Sequence, residues 1–254
     1  MRISAALLAG GKPGDKLAVA AGVPVKVMAP IAGKPMVSYV LEALRGASSV
    51  SELALIADEP AYSASGAAAS ERRIPTQGSF SGNVLAALDA FPEAERVLMV
   101  SGDIPFATSE QIEDFIGAAV ALDCDFAYPI VDKKDALKLD EHGKHTFVHT
   151  KEGTFTGGNL MLVRGTWIRS HRDLVESVLE ARKNPVKLGA LIGPTIVMQA
   201  LFGRLSIAGV EKLAQNKLDC HARAIITPHA ALGIDIDTPE VLVWAESVLA
   251  RRSS

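Results

Sequence analysis

Ile3-Ser4-Ala5-Ala6-Leu7-Leu8-Ala9-Gly10-Gly11-Lys12-Pro13-Gly14-Asp15-Lys16 decides how the rest of the chain is read. A short apolar run, Ile3 to Leu8, passes straight into a glycine turn that carries two lysines. The competing reading, a signal peptide, needs a cleavage region after the apolar run, and a glycine turn with a patterned helix follows instead. The run therefore reads as a buried strand. Glycines let backbone N–H groups come close to a phosphate, and lysine adds positive charge. In open parallel sheets, ligands bind just beyond the carboxyl ends of the strands. The turn matches neither GxGxxG nor GxxxxGK[ST], so the dinucleotide and Walker fingerprints are missing. Taken alone, the stretch is equally compatible with an ordinary strand-to-loop turn.

Outward from this stretch, short apolar runs alternate with helical patterns. Leu53 to Ala57, Arg96 to Val100 and Phe126 to Val131 read as strands. Between them, Pro35 to Leu44, Ser81 to Phe91 and Ser109 to Leu122 read as helices, the last with Ser109 as its N-cap. Strands alternating with helices imply right-handed crossovers and a mostly parallel sheet. Strands this apolar suit a sheet covered on both faces. Asp132 to Gly153 is polar and reads as a hairpin or loop excursion, and Phe155 to Val163 as one returning strand. Arg172 to Lys183 is helical, and Leu188 to Leu218 reads as two or three helices broken at Gly193-Pro194 and Gly203. These make a helical elaboration over 172–218, in which the apolar helices of Leu188 to Leu213 read as core or a homodimer contact and 188–218 as shaping the acceptor side or a dimer contact. Arg223 to Thr227 is a late strand, and Pro239 to Ala250 a closing helix capped by Thr238. With no repeat and no Pro/Gly/Ser linker, 1–254 is expected to be one α/β domain.

The chain has 254 residues, 48% hydrophobic and 22% charged, with a net charge of -3. That length can bury a substantial core. The charge gives no support to a nucleic-acid or membrane-surface partner. No apolar run approaches the roughly 20 residues of a membrane span. Cys124 and Cys220 show no metal-ligand spacing and read as buried free thiols in a reducing compartment, so a cytoplasmic protein is expected.

Three further segments carry chemistry. In Val25-Lys26-Val27-Met28-Ala29-Pro30-Ile31-Ala32-Gly33-Lys34-Pro35-Met36 a lysine sits among apolar residues. Burying an unpaired charge is costly, so Lys26 should snorkel or meet an anion. Pro35 reads as the first residue of the following helix. In Ser101-Gly102-Asp103-Ile104-Pro105 a carboxylate follows directly on a buried strand, at the same sheet edge as the glycine turn. That position suits a Mg²⁺ held by few carboxylates and by substrate phosphates; a simple turn cap is the alternative. In Gly233-Ile234-Asp235-Ile236-Asp237-Thr238-Pro239-Glu240 two acids alternate with isoleucines before a helix. They are read as pointing to opposite faces, which leaves one to meet a metal; helix capping is the alternative here as well.

In this order and spacing, the four segments resemble the NTP transferase superfamily, which includes the molybdenum-cofactor guanylyltransferase and the sugar-phosphate and cytidylyl transferases. The resemblance covers most of the chain. It implies a Rossmann-like three-layer α/β/α sandwich with a mixed, mostly parallel sheet. It implies that Leu8, Ala9, Gly10 and Gly11 surround the nucleotide, with Ser101 and Gly102 beside it. Gln77-Gly78 and Ser81-Gly82-Asn83 fall where the family contacts base and sugar, and Thr156-Gly157-Gly158-Asn159 where it lines the acceptor side. Lys26 matches a phosphate-contacting lysine, Asp103 a metal-binding aspartate, and Asp237, or else Asp235, the second metal position. The implied activity is Mg²⁺-dependent transfer of a nucleoside monophosphate from an NTP to a phosphorylated small molecule, with release of pyrophosphate. The family's glycine turn normally carries an arginine, and here none follows Gly11 before Arg45. Lys12 or Lys16 would supply the charge without arginine's bidentate fork.

A nucleotide-binding regulatory module without catalysis is the alternative that the missing arginine motivates. A nicotinamide-dependent oxidoreductase lacks its GxGxxG. His142, His145 and His149, and Cys220-His221 with His229, are possible metal clusters. The first set is expected to be solvent-exposed and the second to be core or surface.

Overall fold

All six residues of β1 (Ile3–Leu8) are buried, and its side chains divide by parity. Ile3, Ala5 and Leu7 join one apolar cluster, while Ala6 and Leu8 join another. Successive strand residues point to opposite faces, so both faces of the sheet are covered at this strand. A computed structural model shows the architecture and describes residues 2–12, 14–140, 145–181, 184, 187, 191, 193 and 204–252.

After β1 come α1 (Lys16–Ala21), a small hairpin of β2 (Pro30–Ile31) and β3 (Lys34–Pro35), α2 (Met36–Gly46), β4 (Val50–Ile56), α3 (Glu59–Ala64) and β5 (Arg72–Ile74). Then follow α4 (Phe80–Asp89), β6 (Arg96–Ser101), α5 (Ser109–Ala121), β7 (Phe126–Asp132), α6 (Lys133–Leu139), β8 (Val148–His149), β9 (Thr154–Gly157) and β10 (Leu160–Arg164). The described remainder is α7 (Gly165–Ser170), α8 (Arg172–Ala181), α9 (Ile207–Leu218), β11 (Ala222–Thr227) and α10 (Pro239–Arg252).

The main sheet runs β5-β4-β1-β6-β10-β7-β9-β8, with β11 also paired to β7. β5, β4, β1 and β6 are mutually parallel, β11 is parallel to β7, and β10 runs antiparallel to both β6 and β7. The sheet is therefore mixed and mostly parallel. Val37, Val40, Leu41 and Leu44 of α2 pack with Ile112, Phe115 and Ile116 of α5 on one face. Val84, Leu85 and Leu88 of α4 pack with Ile168 and Val175 on the other. The result is a Rossmann-like three-layer α/β/α sandwich.

Several local expectations change. Thr108, not Ser109, caps α5: its hydroxyl accepts from Gln111 N (3.3 Å), while the Gln111 side chain accepts from Thr108 N (3.2 Å). A capping box needs its Glu or Gln three residues on, and Ser109 has Ile112 there. Pro35 is the N-cap of α2 rather than its first residue. The polar stretch after β7 is not only loop: Asp132 accepts from Lys134 N (2.8 Å) and starts α6, with Ala136 buried. The single returning strand is two, broken at Gly158-Asn159. Of the expected helices over 188–218, Ile207–Leu218 is present; 188–203 lies almost wholly outside the described residues.

Candidate active site

Register places the chemistry. β1 pairs with β4 and β6 so that Leu8 lies opposite both Ile56 and Ser101. Three parallel strands therefore end at one level, and Ala9 to Gly11, Ala57-Asp58 and Gly102-Asp103 emerge side by side. Gly102 N donates to Leu8 O (3.0 Å) and Ala9 N to Ile56 O (3.0 Å), which holds the three exits together. β10 runs the other way, so its start at Leu160 lies at the same edge.

A carboxylate oxygen from each of Asp103, Asp235 and Asp237 lies within 4.8 Å of the other two. The opposite-face reading of Asp235 and Asp237 is therefore wrong. Residues two apart on extended backbone share a face, and here the intervening Ile234 and Ile236 are buried at 1% and 0% exposure. Ile236 N also donates to Asp103 O (2.9 Å), tying the two acidic segments together. Thr238 caps α10, accepting from Val241 N (3.4 Å), and the buried Asp103 Oδ1 has no hydrogen-bond partner.

Lys26, on a short 3-10 turn, reaches into this cluster. Its Nζ lies 2.6 Å from Asp103 Oδ2 and also pairs with Asp237 Oδ1. Of the two expectations for Lys26, the meeting with an anion holds, and the anions are the carboxylates of Asp103 and Asp237. Burial pulls the Lys26 ammonium down, but the carboxylates of Asp103 and Asp237 outweigh it and hold the group above its ordinary range. Burial, followed by the charges of Asp103 and Asp237, pushes Asp235 up to about 7.

The donor set fits a hard divalent cation. All three ligands are carboxylate oxygens. The buried Asp103 Oδ1 has no hydrogen-bond partner. Two carboxylates at the 4.8 Å limit of this cluster repel by about 3 to 4 kcal/mol at an effective dielectric near 20. More positive charge than one lysine carries would relieve that repulsion.

Beside the acids, the glycine turn borders a cavity of about 410 Å³, lined by Gly11, Lys12, Val25, Asp58, Thr76 and Gly78 among others. Lys12 is on its wall, whereas Lys16 is the exposed first residue of α1 and is not. Gln77 is exposed, and its backbone N donates to Asn83 Oδ1 (2.7 Å). Sequence reasoning missed Asp58 and Thr76, which bond to each other at 2.6 Å. The signal was there: Asp58 follows β4 as Asp103 follows β6, with the polar residue just past a buried strand.

On the other side, Gly158 is a close-approach position. A Cβ there would lie 2.6 Å from Pro129 Cγ and 3.2 Å from Leu232 O. This packing delivers Asn159 to the acids, with its Nδ2 3.4 Å from Asp235 Oδ1. Thr156 is buried and Gly157 exposed.

The histidines do not assemble. His142 lies outside the described residues. His145 is shielded rather than exposed, with Nε2 3.5 Å from Asp140 Oδ2, while the exposed His149 meets Thr154 Oγ1 (2.9 Å). His221 contacts Arg223, His229 contacts Asp114, and Cys220 is buried. Among the described residues, the aspartate triad is the one metal-like grouping. No described helix is long and apolar enough to cross a membrane.

Residues 5–231 match the MobA-like NTP transferase domain family. A hypothetical transferase from Thermus thermophilus is 37% identical, with a TM-score of 0.84 over 95% of this chain and 100% of that one. A CMP:2-keto-3-deoxy-manno-octonic acid synthetase complexed with CTP is 16% identical, with a TM-score of 0.65 over 99% of each chain. A 4-diphosphocytidyl-2C-methyl-D-erythritol synthase from Anaerococcus prevotii is 14% identical, with a TM-score of 0.61 over 98% of this chain and 99% of that one. The last two share the fold. Comparison with curated proteins returns no match. With the domain matched over nearly the whole chain and a 37%-identical neighbour along its length, this chain belongs to the MobA-like NTP transferase domain family, and it is a nucleotidyltransferase.

Proposed function

We propose that this chain transfers a nucleoside monophosphate from an NTP to a phosphorylated small molecule, with Mg²⁺ held by Asp103, Asp235 and Asp237. The observation that carries this is the convergence of three carboxylates and Lys26 at the carboxyl edge of the sheet, next to a glycine-walled cavity. Two neighbours of the same fold are named for cytidylyl chemistry, one of them complexed with CTP.

In this reading the base and sugar lie against Leu8, Ala9, Gly10, Gly11, Gln77 and Gly78. Ser101 and Gly102 form the floor between base and metal. Lys12 and Lys16 meet the β- and γ-phosphates, and Lys26 the α-phosphate or the acceptor phosphate. Gly158 and Asn159 face the acceptor, and Asn159 also orients Asp235 through its amide. Bound Mg²⁺ would supply charge neutralisation for the triphosphate. The chain's own contribution is positioning: an acceptor phosphate in line with the α-phosphorus attacks, and pyrophosphate leaves. An acceptor that is already an ionised phosphate needs no general base.

The test is pyrophosphate release from each of the four NTPs with Mg²⁺, against a panel of sugar, polyol and pterin phosphates. Release that requires one NTP, one acceptor and Asp103 is the expected result; the Asp103→Ala variant should lose turnover entirely. Near-wild-type rates in that variant would sink the assignment. Nucleotide binding without release from any pair would favour a regulatory module.

A further inference from the structure

Lys26 does more in this structure than wait for a phosphate. With the ammonium in place, one oxygen of Asp103, Oδ2, is held by Lys26 Nζ at 2.6 Å, and the other, Oδ1, is buried without a hydrogen-bond partner. Asp237, the half-exposed member of the triad, also has its Oδ1 on the same ammonium. Two of the three acids are thus bridged by one internal cation.

A Mg²⁺ ion binds oxygen at about 2.0–2.1 Å and demands near-octahedral geometry. An ion held by Asp103 and Asp237 would share the two carboxylates that Lys26 now bridges, and it would sit beside a like charge. Lysine is suited to leave, being a point charge on a flexible four-carbon stem. Its anchor is firm and close to the glycine turn: Val25 and Val27 on either side are buried, and Val25 packs against Gly11.

We infer that Lys26 is the resident counter-cation of the aspartate triad, and that it and the divalent ion exclude one another there. The inference rests on the proposed metal role of the triad. Metal entry releases the ammonium toward the phosphates, and a phosphate that captures the ammonium opens the triad to metal. NTP and metal then bind with positive coupling. By linkage the coupling is reciprocal, so each ligand tightens the other by the same factor. A lone divalent ion meets a site already partly neutralised, and a lone NTP meets a lysine already paired.

The experiment is Mn²⁺ binding to the full chain without nucleotide, followed by calorimetry or by the electron paramagnetic resonance of free Mn²⁺. Lys26→Met keeps the length of the side chain and removes its charge, and should bind Mn²⁺ at least about tenfold tighter than wild type. Lys26→Arg should stay weak. In wild type, CTP or GTP should tighten Mn²⁺, and in Lys26→Met that gain should shrink. A second readout needs no variant. Reductive methylation of Lys26, followed by mass spectrometry, should run several-fold faster with Mn²⁺ than with EDTA.

Mn²⁺ affinity within twofold of wild type in Lys26→Met, or a methylation rate that Mn²⁺ leaves unchanged, overturns the inference. Asp103→Asn separates the two levels. If it loses Mn²⁺ binding while Lys26→Met matches wild type, the metal site stands and the exclusion fails. If it binds Mn²⁺ as wild type does, the metal assignment fails with it.

Discussion

Gly10 runs so close to Thr76 and Asn83 that a methyl group has no room. A Cβ there would lie 2.9 Å from Asn83 Nδ2 and 2.9 Å from Thr76 Cγ2. Neither neighbour is free to yield. Asn83 accepts from Gln77 N and Thr76 is bonded to Asp58, so relief at one place disturbs the whole polar wall. Overpacking of this kind costs about 1–3 kcal/mol. Gly10→Ala should therefore fold but bind NTP about tenfold more weakly by calorimetry. An unchanged Kd would remove this wall from the nucleotide site. The cysteines make the opposite prediction. Burial pushes Cys220 up to about 12 and also raises Cys124. Thiolate is the reactive form, so a thiol reagent should modify neither residue in the native protein and both after unfolding. Prompt labelling under native conditions would contradict the burial.

Among the elements, the segment between β11 and α10 does most for the site. Ile234 and Ile236 are anchors, and the acids between and after them are aimed by those anchors. Ile236 is fully buried in a small cluster with Leu17, Ala29, Ile31, Met36, Phe106, Ala231 and Ala245. Ile236→Ala should cost about 2–4 kcal/mol through the cavity it leaves. It should also weaken Mn²⁺ binding, because Ile236 N no longer stays registered on Asp103 O. Denaturant melts and Mn²⁺ titration test both; a stability loss with intact Mn²⁺ affinity would show that the acids are held by other contacts. The sequence made some of this legible. The apolar strands β1, β4 and β6 were plain, and so was Asp103 beyond β6, because backbone continuity carries it to the sheet edge; Asp58, in the same place beyond β4, was overlooked. What was missed depends on contacts distant in the chain. The break between β9 and β10 follows from Gly158 and Asn159 bonding to Pro129 and Leu232. The pairing of Lys26 with Asp237 spans 211 residues. Helix α6 was hidden by its charges, although Asp132 in front of it is an ordinary cap.

At the scale of the molecule, the site is a joint between the two ends of the chain. The cluster around Phe106 and Ile236 packs α1 and the β2–β3 hairpin against α10, with Phe106 and Trp244 edge to face at 5.2 Å. Folding therefore forces Asp103, Asp235 and Asp237 together with Lys26 offsetting only part of the repulsion, and the remaining cost should depend on pH. Asp235 is ordinarily ionised above 3.8, and in the folded, metal-free protein it is raised to about 7. Between those values the native state binds more protons than the unfolded state, so stability must fall as pH rises through the window. Glu71 and Glu113 act in the other direction. Burial pushes each up, but Arg45 for the first and Ser49 for the second hold them below their usual range. Their contribution grows as pH rises to about 4.5 and is complete above it. From about pH 5 to about pH 7 the Asp235 slope should be the one that shows. In EDTA the Tm should decline across this interval, and Asp235→Asn should flatten the decline. Saturating Mg²⁺ favours the ionised carboxylate, so it should raise the Tm more at pH 7 than at pH 5. A Tm in EDTA that holds level or climbs over the interval would mean the triad is not strained by its own charge, and the case for a cation there would lose its electrostatic support.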